Sequence, residues 1–189
     1  MKQATVNGKT CKFYPDSHTY RVDGEVIPGV TSITGIKDKS GPFLGAATKI
    51  IKQWIEDNLE PGKKYDESEI TEFAELARYS YKREWNQKAK LGTVVHEYVE
   101  KFIKSKMNQT EEPDMPVNVE AKKSVRMFKD WWKSTDIVPL GSEKMVWYPE
   151  EDYAGPLDLV ARVDGALTVI DFKTSKALYP EYDMQVVAY

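Results

Sequence analysis

Cysteine is almost absent from this chain of 189 residues: Cys11 is the one thiol. That excludes an internal disulfide, a four-cysteine zinc site and an iron–sulfur cluster held by cysteines. Long apolar runs are missing too, none approaching the roughly eighteen consecutive residues of a membrane span. The opening Met1-Lys2-Gln3-Ala4-Thr5 has neither the apolar stretch of a secretory signal nor the arginines of a transit peptide. A reducing, cytoplasmic setting without a membrane partner is the expectation. Nor is there an excess of positive charge: the net charge of −3 argues against a protein that coats DNA generically. Hydrophobic residues at 41% and charged residues at 30% belong to a globular domain able to bury a core.

Charge is unevenly spread. Glu56 to Glu75 holds eight acidic and two basic residues, and Arg78 to Lys106 holds eight basic and three acidic. Lys122 to Lys133 adds five basic residues against Asp130 alone. Such strips attract a polyanion even when the total charge is negative, and they also suit solvated helix faces.

The chain divides into three regions. Residues 1–40 predict a hairpin, His18 to Val22 and Glu25 to Ile27 turned by Asp23-Gly24, then hydroxyl caps at Thr31-Ser32. Residues 41–135 read as helical. Phe43 to Asn58 is the first helix; a second opens at Ser68 and carries Ile70, Phe73, Ala74, Ala77, Tyr81 and Trp85 on its apolar stripe. A third starts near Leu91-Gly92-Thr93, and a fourth spans Val119 to Lys133 after a proline-punctuated loop. Residues 136–189 change to strand periodicity, Glu143 to Tyr148, Tyr153 to Val163 and Ala166 to Lys173, before a last helix after Pro180. The order implies an α+β or mixed α/β fold, with residues 91–135 packing on the sheet as one domain. Tyr81, Trp85 and Trp132 fall on apolar stripes and are assigned to packing, while Tyr79 and Trp131 stay open as base-stacking rings.

Asp164-Gly165 lies between two strand-like runs, the strongest short signal for a two-residue hairpin. With Val163 opposite Ala166, five further steps set Asp158 opposite Asp171. Directly opposed Cβ atoms stand roughly 4.5–5.5 Å apart, where like charges repel. Such a pair shares a proton or holds a cation. Alternation puts Lys173 on the face of Asp171 and turns Leu157, Leu159, Ala161, Ile170 and Phe172 to a core. Two hard oxygen donors beside a lysine suit Mg²⁺ and a phosphate, and they also suit a surface hairpin with a solvated Asp–Lys pair. On the third helix Gly92, His96 and Glu100 share a face, so His96 is a candidate ligand with Glu100 orienting its ring or joining the site, or simply a structural histidine.

Gly92-Thr93-Val94-Val95-His96, Ala154-Gly155-Pro156-Leu157-Asp158, Asp171-Phe172-Lys173 and Gln185-x-x-x-Tyr189, in that order, resemble the motif set of the PD-(D/E)xK nuclease superfamily. The likeness is to its RecB-like branch, which includes phage exonucleases and the mitochondrial genome maintenance exonuclease. It covers about Leu91 to Tyr189, and Val30-Thr31-Ser32-Ile33 resembles the start of phage members less specifically. The resemblance implies a restriction-endonuclease-like core, a mixed central sheet flanked by helices, that continues beyond Tyr189. It implies Mg²⁺, with Mn²⁺ as a substitute, held by His96, Asp158, Asp171 and the Phe172 carbonyl. Lys173 would serve the attacking water and the phosphate charge. Gln185, Tyr189 and Thr93 would steady the site or touch DNA, and Glu143 is a further acidic candidate. Leu157 stands where the family name has proline, with Pro156 one place earlier. The expected activity is a DNA exonuclease on linear ends, with a recombination protein as partner. The alternatives are an endonuclease on the same site and a non-catalytic DNA-binding or recombination accessory domain.

Overall fold

The computed structural model describes residues 2–35 and 40–189. The chain opens with a meander of four antiparallel strands, β1 (Gln3–Val6), β2 (Lys9–Tyr14), β3 (Thr19–Val22) and β4 (Glu25–Ile27). Asn7-Gly8 places Val6 opposite Lys9, and Asp23-Gly24 places Val22 opposite Glu25. All four turn residues have positive φ, which a type I′ turn needs and these residue types meet at little cost. Sequence pattern predicts the second hairpin but not the first, whose strands lack a clean apolar alternation.

The helices are α1 (Val30–Thr34), α2 (Ser40–Asn58), α3 (Glu67–Arg78), α4 (Ser80–Asn108), α5 (Val119–Ser134) and α6 (Pro180–Ala188). They depart from the expected pattern in three places. Helix α1 starts after Gly29 without a side-chain cap, so Thr31 and Ser32 lie inside it. Helix α3 is capped by Asp66, not Ser68: Asp66 accepts the Glu69 N–H at 2.9 Å and Glu69 accepts the Asp66 N–H at 3.0 Å. This reciprocal box satisfies two orphan donors at once, which a serine alone does not. The stripe from Ile70 to Trp85 is divided at Tyr79, and α4 already runs from Ser80 through Gly92. Residues 82–91 are rich in Lys, Arg, Glu, Gln and Ala, which favour helix, and no proline interrupts them.

Strands β5 (Ile137–Tyr148), β6 (Tyr153–Val163) and β7 (Ala166–Ile170) form a second sheet in the order β5-β6-β7. The expected mixed sheet is antiparallel throughout these strands, because consecutive hairpins give antiparallel neighbours and a parallel pair needs a crossover. The class is mixed α and β, with two antiparallel sheets and helices.

The chain forms two compact units, Met1–Ile36 with Gly92–Tyr189, and Lys37–Leu91. Residues 92–135 thus group with the second sheet, and the N-terminal strands belong to the same unit. In the Lys37–Leu91 unit, Trp54 packs on Phe73 and Phe43 on Trp85, with ring centroids 5.1 and 4.4 Å apart. In the larger unit, Cys11, Tyr20, Val22 and Ile27 of the meander are buried with Trp147 and Ala154 of the second sheet. Phe102 of α4 meets Phe128 and Trp132 of α5, and β6 buries Leu157, Leu159 and Ala161. Trp131 packs against Phe128 and Phe172, whereas Tyr79 is exposed between Arg78 and Lys82.

Candidate active site

Asp164-Gly165 turns β6 into β7 with Val163 opposite Ala166, and the ladder runs to Leu159 opposite Ile170. One more step sets Asp158 level with Asp171. The ladder stops there: β7 ends at Ile170, three residues before the expected end at Lys173. The cause is local. Asp158 Oδ2 accepts the Phe172 N–H at 2.7 Å, so a side chain replaces the backbone carbonyl that would have continued the pairing. The freed edge of β6 is taken up again at Ala154, whose N–H donates to the Pro28 carbonyl at 3.1 Å. Asp158 stands in the interval between these two pairings.

A third acid joins the row. Ser142 pairs with Leu159 and Lys144 with Leu157, so Glu143 is level with Asp158 on the opposite flank of β6. It lies in the middle of β5, not at the head of a strand as expected, because β5 begins six residues earlier at Ile137. The register shifts between Pro139 and Gly141, and Glu143 itself has φ 53°. That conformation is uncommon outside glycine, asparagine and aspartate. Its carboxylate forms an ion pair with Lys2. Lys2 carries no spacing signal in the sequence, 141 residues away, and is the partner that sequence pattern misses.

Beyond Phe172 the chain places Lys173 Nζ 2.7 Å from Asp171 Oδ2. Asp171 is nearly enclosed, its side chain 4% exposed, and Oδ2 makes no hydrogen bond despite that charge contact. Gln185 of α6 binds the site together. Its Oε1 accepts from Lys173 Nζ at 3.0 Å, while its Nε2 donates to Asp171 Oδ1 at 3.1 Å and to the Tyr189 hydroxyl at 2.9 Å. Tyr189 rests against β6 where Gly155 leaves room: a Cβ there would stand 2.8 Å from Tyr189 Cε1 and 3.1 Å from Val30 Cγ2. Burial, against the Gln185 hydrogen bond, pushes the Tyr189 phenol up to about 12, with Asp171 and Asp158 adding to the rise.

Helix α4 supplies His96, whose Nδ1 is 3.8 Å from Asp158 Oδ2. One turn earlier Gly92 lets the helix approach the segment after Lys173, since a Cβ would be 3.2 Å from Thr174 Oγ1. Thr93 comes next, on the exposed side. Glu100 does not orient the His96 ring: its carboxylate pairs with Lys104 one turn on, the ordinary outcome for an i, i+4 acid–base pair.

Burial raises the Asp158 carboxyl above its ordinary value. The Phe172 N–H pulls it back, Asp171 pushes it up again, His96 opposes, and Glu143 adds a further push. Negative charge at Asp158 is therefore costly, and a cation beside it would remove that cost. The two carboxylates match a hard divalent ion in kind, whereas the imidazole beside them is a donor that borderline transition metals favour. Their placement is less complete. Among the described residues no group of three or more His, Cys, Asp or Glu side chains is gathered as a metal cage, with Lys173 and Gln185 engaging Asp171 and the Phe172 N–H engaging Asp158. Comparison of the chain with protein-family models and with curated proteins finds no match.

Proposed function

We propose that this chain is a Mg²⁺-dependent DNA exonuclease of RecB-like type that hydrolyses phosphodiester bonds at linear ends, in recombination or end processing. The supporting observation is the convergence of Asp158, Asp171 and Lys173 at the point where β7 leaves β6, with Gln185 bridging the lysine and the second acid. Asp158 and Asp171 are the residues that would hold the metal, with His96 and the Phe172 carbonyl as neighbouring donors. Such an ion polarises a phosphoryl oxygen and lowers the pKa of bound water.

The chain's own groups do the rest. The Lys173 ammonium sits beside the carboxylates, where it can stabilise charge that develops on the phosphate. Gln185 fixes its position by accepting one of its protons and donating to Asp171, and Tyr189 anchors Gln185 in turn. The N–H of Phe172 holds Asp158 in one rotamer, so the pair of acids is set before substrate arrives. Hydrolysis adds water across the P–O bond: the nucleophile gives up a proton and the departing sugar oxygen takes one.

The test compares end-labelled linear DNA with closed circular DNA, with and without Mg²⁺. Metal-dependent degradation of the linear form alone is the expected result. Nicking of circles would make the protein an endonuclease, and retardation of DNA without cleavage would make it a binding domain.

A further inference from the structure

Helix α5 presents a second surface that the candidate active site does not use. Its apolar side buries Ala121, Val125 and Phe128, and Phe128 and Trp131 meet the ring of Phe172 at 5.4 and 6.1 Å. Further round the helix, Lys122, Arg126, Lys129 and Lys133 recur at i, i+4, i+7 and i+11, spacings that place them in one row. The row lines a shallow groove completed by Met115 and Asp130. Lys129 is engaged by Glu112 at 2.5 Å, and Glu112 also holds Lys106 at 2.6 Å. Lys122, Arg126 and Lys133 take part in no ion pair among the described residues.

We propose that this row is a track for the sugar–phosphate backbone of the nucleic acid; the choice of nucleic acid among polyanions rests on the nuclease reading. Three features carry the assignment. Four cations line the groove beside one acid, Asp130, and Glu112 pairs with Lys129 and Lys106, in a chain whose net charge is −3. A concentrated positive strip on an acidic protein steers and holds a polyanion. The spacing is linear: eleven residues at 1.5 Å rise span about 16 Å, close to the length of about five phosphates at roughly 3.4 Å per nucleotide. The groove also has no aromatic ring and a single apolar residue, Met115, so it lacks the buried anchors on which a protein partner depends. The helix that carries the row backs Phe172, the residue between Asp171 and Lys173, so the same element positions the track and the site.

The experiment is a titration of labelled DNA with the full chain, without divalent ion, over a range of salt concentrations. The variant is Lys122→Gln/Arg126→Gln/Lys133→Gln, with thermal melting to verify folding. For every phosphate that is no longer neutralised, the log–log salt slope flattens by about 0.7–0.9. The triple variant is expected to flatten the slope by about 2 to 3 and to weaken affinity on the order of a hundredfold at 0.1 M salt. Arg126→Gln alone should flatten it by about one phosphate's share, and Lys123→Gln, outside the groove, should leave it unchanged. An unchanged slope in the triple variant overturns the proposal. So does a triple variant that keeps its DNA slope but no longer binds polyglutamate, which would give the row to an acidic protein. Cleavage with Mg²⁺ is scored separately. A flattened slope in the variant, with no cleavage by the wild type, keeps the track and removes the nuclease. Cleavage by the wild type with an unchanged slope in the variant does the reverse.

Discussion

Two hairpins in this molecule are turned by closely matching residues, Arg21-Val22-Asp23-Gly24 and Arg162-Val163-Asp164-Gly165. In both, the aspartate and glycine have positive φ. In both, the arginine Nη1 donates to the glycine carbonyl at 3.2 Å. The local device is the same, but the strands it joins lead to different ends. The N-terminal hairpin passes from Ile27 into Gly29 and α1, and its inward residues Tyr20, Val22 and Ile27 complete a core. The C-terminal hairpin runs on until Asp158 and Asp171 meet, then splits. Turn chemistry sets register, and register decides which residues face each other. Only one of the two registers brings acids together.

The sharpest separation of the two comes from their lysines. If the chain is the nuclease proposed above, Lys173→Ala should lower cleavage by about 10²–10³ while DNA binding persists, the scale of losing one positioned charge-stabilising donor. Lys9→Ala, beside the other hairpin and 3.8 Å from Asp23 with both side chains exposed, should change neither cleavage nor stability measurably. Turnover at the wild-type rate in Lys173→Ala removes that lysine from the mechanism and makes the two hairpins equivalent.

Next in size is Gly155→Ala. The added methyl meets Tyr189 and Val30 at van der Waals overlap, so Tyr189 must move and its bond to Gln185 with it. Overpacking of this kind costs about 1–3 kcal/mol, read as a lower denaturation midpoint, and cleavage should fall as well. A stability loss with cleavage fully retained would show that Tyr189 does not position the site.

Much of the C-terminal hairpin is legible before any coordinates. The Asp164-Gly165 signal, the alternation of Leu157, Leu159 and Ala161, and the opposition of Asp158 and Asp171 all come from period-two geometry. The early end of β7 does not, because it arises from a side chain, Asp158, competing for the Phe172 N–H. Glu143 is visible as an acid near a strand, but its alignment with Asp158 depends on where β5 begins and on a bulge beside Pro139. The pairing of Glu143 with Lys2 is wholly non-local. In the helical stretch, Tyr79 divides what periodicity reads as one helix, since the apolar stripe continues in phase across the break.

The two turn glycines give a third comparison. Gly24 and Gly165 have φ +92° and +83°, and neither would crowd a neighbour if given a Cβ. The penalty of Gly24→Ala and of Gly165→Ala is then purely conformational, about 1–2 kcal/mol for a non-glycine residue in that region, and equal in the two sites. Chemical denaturation of the two variants measures it. A difference above about 1 kcal/mol, as large as the spread of that penalty, would mean that the surrounding sheet, not the turn, holds one of the registers.

The smallest effect is expected from Asp158→Asn in the absence of metal, and its sign separates the two acids of the C-terminal hairpin. Asp158 has its carboxyl held above the ordinary 3.8, chiefly by burial. A carboxyl raised in the folded state favours folding while it is protonated, so its contribution is full below the ordinary value and is lost as pH rises through the raised one. Near neutral pH the wild type carries the cost of a buried charge with Asp171 and Glu143 beside it. Asparagine stays neutral and keeps an oxygen for the Phe172 N–H. The melting temperature of Asp158→Asn should therefore exceed that of the wild type at about pH 7, and the gap should close as pH falls toward about 4. Asp171→Asn should show no such gain, because it gives up the ion pair with Lys173 that already offsets its charge. Saturating Mg²⁺ should narrow the gap near neutral pH by stabilising only the wild type. A gap independent of pH would assign the gain to packing and leave Asp158 without the charge cost that a bound cation would relieve.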